Sequence, residues 1–366
     1  MSLSKSTQRQ HLITELQTRG LRLHNAGQDH VSRRGGAGPS DHQAVTIDGT
    51  TVMVPIYTQS AWRSPFSVES SEQGHKLIEN AIPLADITFA DTPRFYDLST
   101  TDGIPYSHIA TLHSKDVLAT TVLQTCIRYE SRRKACKFCS IGQSLQAGRT
   151  IARKTPQQLA EVAKAAVELD GVQHMVMTTG TPATSDRGAA ILCESADAIR
   201  AAVDIPIQAQ CEPPADPAWY ARMKAAGIDT LGMHLEVVTP ALRKELMPGK
   251  AEISIEEYMV AFREAVAVFG RGQVSTYILA GLGDSKDAIL ETCSQLIEIG
   301  VYPFVVPFVP ITGTPLEDLT PPSSEFMASI LAPLGKHLQL AAMRSSDIKA
   351  GCGRCGACST LSEYEH

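Results

Sequence analysis

The stretch Val117-Leu-Ala-Thr-Thr-Val-Leu-Gln-Thr-Cys126-Ile-Arg-Tyr-Glu-Ser-Arg-Arg-Lys-Ala-Cys136-Lys-Phe-Cys139 decides how the rest of the chain is read. It opens as an apolar run, Val117 to Gln124, of the length and composition of a buried strand. It then breaks into a polar loop whose cysteines are spaced Cys-x9-Cys-x2-Cys. Three thiolates in one loop can hold three corners of a cubic iron–sulfur cluster and leave the fourth iron open. A soft thiolate site with an open position suits chemistry, whereas a four-cysteine site mostly holds structure or passes electrons.

Downstream of this stretch the pattern strand, loop, helix repeats. Strands are expected at Val117–Gln124, His174–Thr179, Ile205–Cys211, Thr230–Val237, Val274–Ala280 and Tyr302–Pro310. Thr155-Pro156 opens a helix with an N-cap and a proline at the first position, and Gly171 stops it. Asp216-Pro217 opens another that ends at Gly227. Ser254 to Phe269 places Ile255, Tyr258, Met259, Phe262, Val266 and Phe269 at helical spacing and stops at Gly270. Asp284 to Ile299 stops at Gly300, and Ser323 to Met343 reads as a last helix. Six βα units predict an α/β fold, a partial (βα)6 TIM-type barrel.

Outside the barrel, Gln8 to Thr18 reads as a short helix and Arg33 to Asp41 as a loop. Ala44 to Pro55 reads as a hairpin about Asp48-Gly49. The expected organisation is a small N-terminal α/β extension over 1–115, the barrel over 116–322, and a helix with a Cys-rich tail over 323–366. No chemistry is legible in the N-terminal extension.

The 366 residues are 43% hydrophobic with a formal net charge of −6. A chain of this balance with no long basic run does not favour nucleic acid as a partner. No stretch approaches the roughly 20 apolar residues that span a bilayer, and Met1 to Gln10 is too polar for a signal peptide. Nine cysteines is an odd count, with six in two tight clusters. That argues for metal sites in a reducing cytoplasm over a secreted disulfide framework. Arg132-Arg133-Lys134 reads as a solvated loop, with a rim for docking an acidic electron donor as the sharper alternative.

In a parallel βα barrel, ligands bind at the C-terminal ends of the strands. The cysteine loop follows the first strand, so it sits at that mouth, with Phe138 just before its last cysteine. The second strand ends Thr178-Thr179-Gly180, with hydroxyls and a glycine suited to an ammonium or carboxylate. The fourth unit carries His234 and Glu236, then Pro240, Leu246, Pro248 and Gly249. The fifth strand runs into Gly281, and the sixth into Pro310 and on to Pro315. This ordered set resembles the radical S-adenosylmethionine (radical SAM) superfamily, in its biotin synthase and hydrogenase-maturase branch. The departure is the first cysteine spacing, since most of that superfamily has Cys-x3-Cys-x2-Cys.

The resemblance implies a [4Fe-4S] cluster on Cys126, Cys136 and Cys139 whose open iron chelates SAM. It places His234 and Glu236 near the SAM ribose and methionine moiety, Gly281 near the ribose and the Pro310 segment near the adenine. Reductive cleavage of SAM would give a 5′-deoxyadenosyl radical that takes hydrogen from a small-molecule substrate. The implied electron donor is a flavodoxin or ferredoxin. The long spacer, the N-terminal extension and the Cys-rich tail further resemble radical SAM proteins encoded with a nitrilase in bacterial nitrile- or cyanide-utilisation clusters.

The tail carries Cys352, Cys355 and Cys358 as Cys-x2-Cys-x2-Cys, a ferredoxin-like run without its fourth ligand. The expectation is a second iron–sulfur cluster. A structural zinc completed by Cys211, Cys293 or a histidine, and a mobile tail that binds nothing, stay open. Cys193 and Cys293 fall in helical patterns and read as core, while Cys211 closes the third strand beside Gln210 and Glu212. A non-catalytic iron–sulfur protein for electron transfer or sensing explains both cysteine groups but not the matched strand ends.

Overall fold

The computed structural model describes residues 5–23, 42–56, 59–72 and 74–365. The Arg33–Asp41 loop lies outside the described residues. Strands β1 to β5 are His42–Ile47, Thr50–Pro55, Phe66–Ser71, Gly74–Glu79 and Ile82–Phe89. They form an antiparallel sheet in the order β2-β1-β5-β4-β3. Asp48 and Gly49, both at positive φ (48° and 80°), make the tight turn between β1 and β2. The helix Lys5–Arg19 lays Ile13 and Leu16 against Val45, Val52, Val54 and Phe66, which gives this sheet its own core.

Strands β6 to β12 are Thr111–His113, Val117–Thr121, His174–Thr178, Ile207–Gln210, Thr230–Gly232, Val274–Ala280 and Val301–Pro307. They lie in sequence order, curl into a half-barrel, and are parallel from β7 to β12. The short β6, from before the expected start of the barrel, pairs antiparallel with β7. The helices Pro156–Asp170, Ala189–Ala202, Ala218–Ala225, Ile255–Phe269 and Lys286–Ile299 connect successive strands. Strands β7, β9, β10 and β12 are buried along their whole length and β8 and β11 over most of theirs, as parallel strands covered by helices require.

Local chemistry sets the helix ends. Thr155 and Gln158 form a capping box in front of Pro156, and Ser254 and Glu257 form another. The helix Ala189–Ala202 begins after Gly188, which has no side chain to cap it, and Asp186 upstream accepts from Gly188 and Ala190 N–H instead. The expected strand Thr230–Val237 is too long. The strand β10 stops at Gly232, because Glu236 takes a left-handed φ of 63° and touches the sheet only as a bridge to Ile278. The expected Tyr302–Pro310 likewise ends at Pro307, where the chain leaves the sheet.

The tail folds back under the N-terminal ends of the barrel strands. Gly351 N–H donates to His174 Nδ1 at the start of β8, and Thr230 Oγ1 donates to Ala350 O at the start of β10. The N-terminal sheet and helix hold it from the other side. Met53 N–H and Gln17 Nε2 both donate to Ala357 O, at 2.7 and 3.1 Å. Arg9 pairs with Glu363 at 2.8 Å.

Candidate functional site

The loop after β7 is fastened before it presents its cysteines. Lys154 Nζ, nearly fully buried, donates to Thr121 O, Thr150 Oγ1 and Gln124 Oε1. Burial pulls its pKa down to about 7, while three acceptors around one ammonium match its charged form. Further along, Arg128 makes a two-pronged ion pair with Glu212, both contacts at 2.7 Å and both side chains buried. It also donates to Gly249 O. The arginine thus ties the long cysteine spacer to the end of β9 and to the Pro248-Gly249 turn.

Gly180 is required by close approach. A Cβ there would lie 2.1 Å from Thr125 O and 3.1 Å from Cys126 Cβ. Only glycine lets the end of β8 press against the segment that carries Cys126.

Cys126, Cys136 and Cys139 line one cavity of about 220 Å³ together with Phe138, Thr178, Thr179, Gly180, His234 and Glu236. Burial raises the Cys136 thiol well above its ordinary range, with the Glu236 carboxylate adding to it, and pushes Cys139 up to about 12. The donor set fits a thiophilic metal cluster. It consists of three soft sulfurs, of which burial holds Cys136 and Cys139 as thiols until a metal displaces their protons. Lys250, not singled out from the sequence, also lines this cavity and lies 2.8 Å from Glu236; Gln210, at the end of β9 beside Cys211, lines it too. Burial disfavours the Lys250 charge, but the Glu236 carboxylate outweighs this and raises its pKa.

Glu236 is held in its strained backbone conformation from both sides. Its N–H donates to Tyr277 O and its carbonyl accepts from Leu279 N–H, both at 2.8 Å. A non-glycine residue in this region costs about 1–3 kcal/mol and persists where its surroundings over-determine it. His234 Nδ1 accepts from Tyr277 N–H at 3.2 Å, and the two rings meet edge-on with centroids 4.7 Å apart. Burial and the Lys250 charge hold His234 down at about 3, so the imidazole is neutral. With Nδ1 accepting, the proton resides on Nε2, a buried atom that has no hydrogen-bond partner.

A second cavity of about 260 Å³ adjoins the first and shares Phe138, Gln210 and His234 with it. Cys352 and Cys358 of the tail line this second cavity. Gln210 Nε2 donates to Cys352 Sγ at 3.2 Å, and the Tyr277 hydroxyl bonds the same sulfur. Cys358 Sγ lies 3.8 Å from His113 Nε2. Cys355 faces another pocket, beside Ser114 and His174, and burial pushes its thiol up to about 12. Tyr277 therefore spans the two groups, with its ring against His234 and its hydroxyl on Cys352.

Gly281 and Pro310 stand apart from the cysteine cavity. The space a Gly281 Cβ would need is filled by Pro322 at 2.8 Å, and Pro310 lines a separate cleft toward the N-terminal helix. Cys211 lines the cysteine cavity, while Cys293 is buried in a helix. Among the described residues, no helix is long and apolar enough to cross a membrane. Lys250 follows Pro248-Gly249 directly, and that adjacency is the sequence signal that could have found it.

Residues 132–296 match the Radical SAM superfamily, a span that begins after Cys126 and includes Cys136 and Cys139. The chain is 31% identical over 126 residues to the bacteriochlorophyllide c C-7(1)-hydroxylase of Chlorobaculum limnaeum, covering 34% of this chain and 31% of that protein. It is 26% identical over 125 residues to the probable dual-specificity RNA methyltransferase RlmN of Moorella thermoacetica, covering 34% and 35%. The chain thus spans about a third of the length of these curated relatives. Among solved structures, it is similar to methylornithine synthase (PylB), with a TM-score of 0.48 and 18% identity over 67% of this chain and 68% of that one. The hydrogenase maturase HydG gives a TM-score of 0.47 at 14% identity, over 63% and 50%.

Proposed function

We propose that the chain is a radical SAM enzyme, as the superfamily match over residues 132–296 supports, and that it cleaves SAM reductively to take hydrogen from a small molecule. The observation that carries this reading is the single cavity lined by Cys126, Cys136, Cys139, Thr178–Gly180, His234 and Glu236. When bound there, a [4Fe-4S] cluster and SAM supply a low-potential electron and a carbon-centred radical.

In this reading the protein's own residues hold and orient. The Glu236 carboxylate accepts hydrogen bonds from ribose hydroxyls or the SAM ammonium, with Lys250 fixing its direction. His234 offers Nε2–H as a neutral donor, so it adds no charge beside the sulfonium. The Thr178 and Thr179 hydroxyls face the same space. Phe138 and the tail exclude water from the adjoining cavity, which protects a radical from quenching.

The tail cysteines form a second iron–sulfur site in this proposal, facing the substrate from the side opposite SAM. Support comes from Cys352 and Cys358 lining the adjoining cavity and from the hydrogen bonds that fix Cys352. The parts 1–115, 116–322 and 323–366 then act as clamp, SAM barrel and second metal site. A small-molecule substrate suits the net charge of −6 better than the RNA that the RlmN relatives are named for. Exposed Arg132 and Arg133 beside the cluster loop suit a flavodoxin or ferredoxin donor in the cytoplasm. A place in nitrile metabolism rests on the sequence resemblance alone.

The test is anaerobic reconstitution, then dithionite and SAM, with chromatography for 5′-deoxyadenosine. The product should form and should vanish in Cys136→Ala. A fully assembled cluster that yields none would overturn the proposal.

A further inference from the structure

The hydrogen bonds around the tail cysteines all point one way. A metal-bound thiolate can only accept, and each tail sulfur faces a group able to donate. Cys352 Sγ is reached by Gln210 Nε2 at 3.2 Å and by the Tyr277 hydroxyl. Cys355 Sγ is reached by the Ala357 N–H and the Ser114 hydroxyl. His113 Nε2 stands 3.8 Å from Cys358 Sγ, so with that sulfur ionised the ring proton lies between them.

The direction of the Gln210 bond follows from a backbone group. The Cys352 N–H lies 3.2 Å from the end of the Gln208 carboxamide, which must therefore present its oxygen. Gln210 lies 2.7 Å from that same oxygen, so it must present its NH2, and the second proton of that NH2 faces Cys352 Sγ. The other end of Gln208 donates to Ser275 Oγ at 3.3 Å. Gln208, Gln210 and Ser275 are buried on barrel strands, so the barrel and not the tail sets this donor.

The SAM-side loop is built differently. At Cys139 the hydrogen bond comes from the Ile141 backbone N–H. The Glu236 carboxylate bears on Cys136 and Cys139, with Lys250 opposing it. All six clustered cysteines are partly buried, so exposure does not separate the two groups. An added electron spreads negative charge over the sulfurs of an iron–sulfur site, and hydrogen bonds to those sulfurs stabilise it.

We propose that the tail site is the protein's electron store. It takes an electron at a higher potential than the SAM-side site, because Tyr277, Gln210, Ser114 and His113 donate to its sulfurs. This rests on reading Cys352, Cys355 and Cys358 as an iron–sulfur site. The step is one electron passed from a low-potential donor of the flavodoxin or ferredoxin class, which is oxidised as the tail site is reduced. No bond to a substrate atom forms or breaks, and the donors keep their protons. Tyr277 and Ser114 are positioning residues in this scheme, acting on the potential through Cys352 and Cys355.

The test is a redox titration followed by electron paramagnetic resonance on the full chain, reconstituted anaerobically without SAM. Both sites should give a signal. The signal of higher midpoint should survive in Cys126→Ala/Cys136→Ala/Cys139→Ala and vanish in Cys352→Ala/Cys355→Ala/Cys358→Ala. Tyr277→Phe keeps the ring beside His234 and removes the hydroxyl. It should favour the oxidised tail site about tenfold at fixed potential, a fall of about 59 mV in the tail midpoint. Ser114→Ala, in the pocket on the Cys355 side, should lower the same midpoint, and the two changes together should lower it further. The SAM-side midpoint should stay in place in both. Iron per chain is measured on every variant, so that the shift is read on assembled sites.

A tail midpoint at or below the SAM-side one would overturn the proposal. A tail midpoint unmoved by both Tyr277→Phe and Ser114→Ala would overturn it too. Failure of the second iron–sulfur reading looks different. The variant without the SAM-side cysteines then binds no iron, and the electron store falls with it. Formation of 5′-deoxyadenosine by the wild type is a separate measurement, so the radical reading stands or falls on its own.

Discussion

The backbone N–H of Tyr277 donates to His234 Nδ1 at 3.2 Å, and this one bond decides which end of the imidazole carries the proton. It turns His234 into a neutral N–H donor at the seam between two cavities. A glutamine can reproduce the pattern, accepting through its carbonyl and donating through its amide, whereas a leucine leaves the buried Tyr277 N–H unpaired. His234→Leu should cost about 1–3 kcal/mol in urea unfolding and His234→Gln much less. Calorimetry on the reconstituted protein should show SAM affinity falling further in the leucine variant. Equal stability of the two would remove the bond from the account.

The same histidine gives an acid limb. Its pKa of about 3 in the fold lies below its ordinary 6.5, so the unfolded chain takes up the proton first as pH falls. The stabilisation is complete above about pH 6.5 and is lost as pH falls toward 3. His174, lowered to about 4 by burial and by Arg354, titrates in the same direction. Unfolding free energy of the wild type should therefore drop between pH 6.5 and 4 with a slope near two protons. His234→Gln should show about one, a difference of roughly 1.4 kcal/mol per pH unit. An unchanged slope would mean that His234 is protonated in the fold.

Arg128 and Glu212 are both buried, so removing one partner strands the other. Arg128→Met should destabilise by about 3–5 kcal/mol, and Arg128→Met with Glu212→Leu by less. Because this pair fastens the cysteine spacer, iron per chain after anaerobic desalting should fall in the single variant and recover in the double. Full iron retention by Arg128→Met would show that the spacer is held by other contacts.

Gly335 sits inside the helix Ser324–Leu340, where alanine ordinarily adds about 1 kcal/mol. Here a Cβ would come within 2.3 Å of the Tyr364 carbonyl oxygen. Gly335→Ala should therefore push the tail off the barrel. Alkylation of Cys352, Cys355 and Cys358, followed by peptide mass spectrometry, should be faster than in the wild type. A variant that is more stable with protected thiols would mean the tail shifts at little cost.

What could be read from the chain alone was whatever repeats or is local. Apolar runs with capped helices between them gave six parallel strands, because hydrophobic period, N-caps and glycine stops act within a few residues. The Cys-x2-Cys step was legible for the same reason, and the structure brings Cys126, Cys136 and Cys139 to one cavity with Thr178, Thr179, Gly180, His234 and Glu236, while Gly281 and Pro310 lie outside it. Of the helix Ala189–Ala202 only the helical pattern around Cys193 was legible and its start was not, since it begins after a glycine and is capped from Asp186, three residues upstream. Contacts across the fold decided the rest. The left-handed Glu236, which cuts β10 short, is enforced by Tyr277 and Leu279 on the next strand. Its pairing with Lys250, the tautomer of His234 and the burial of the tail cysteines all depend on groups brought together from different elements. No periodicity records that Gln17 and Cys358 face one cavity, because residues so far apart meet only through burial. The sequence alone determined the barrel and the cysteine loop after its first strand, and the tertiary packing decided which groups from distant elements line the cavities beside that loop.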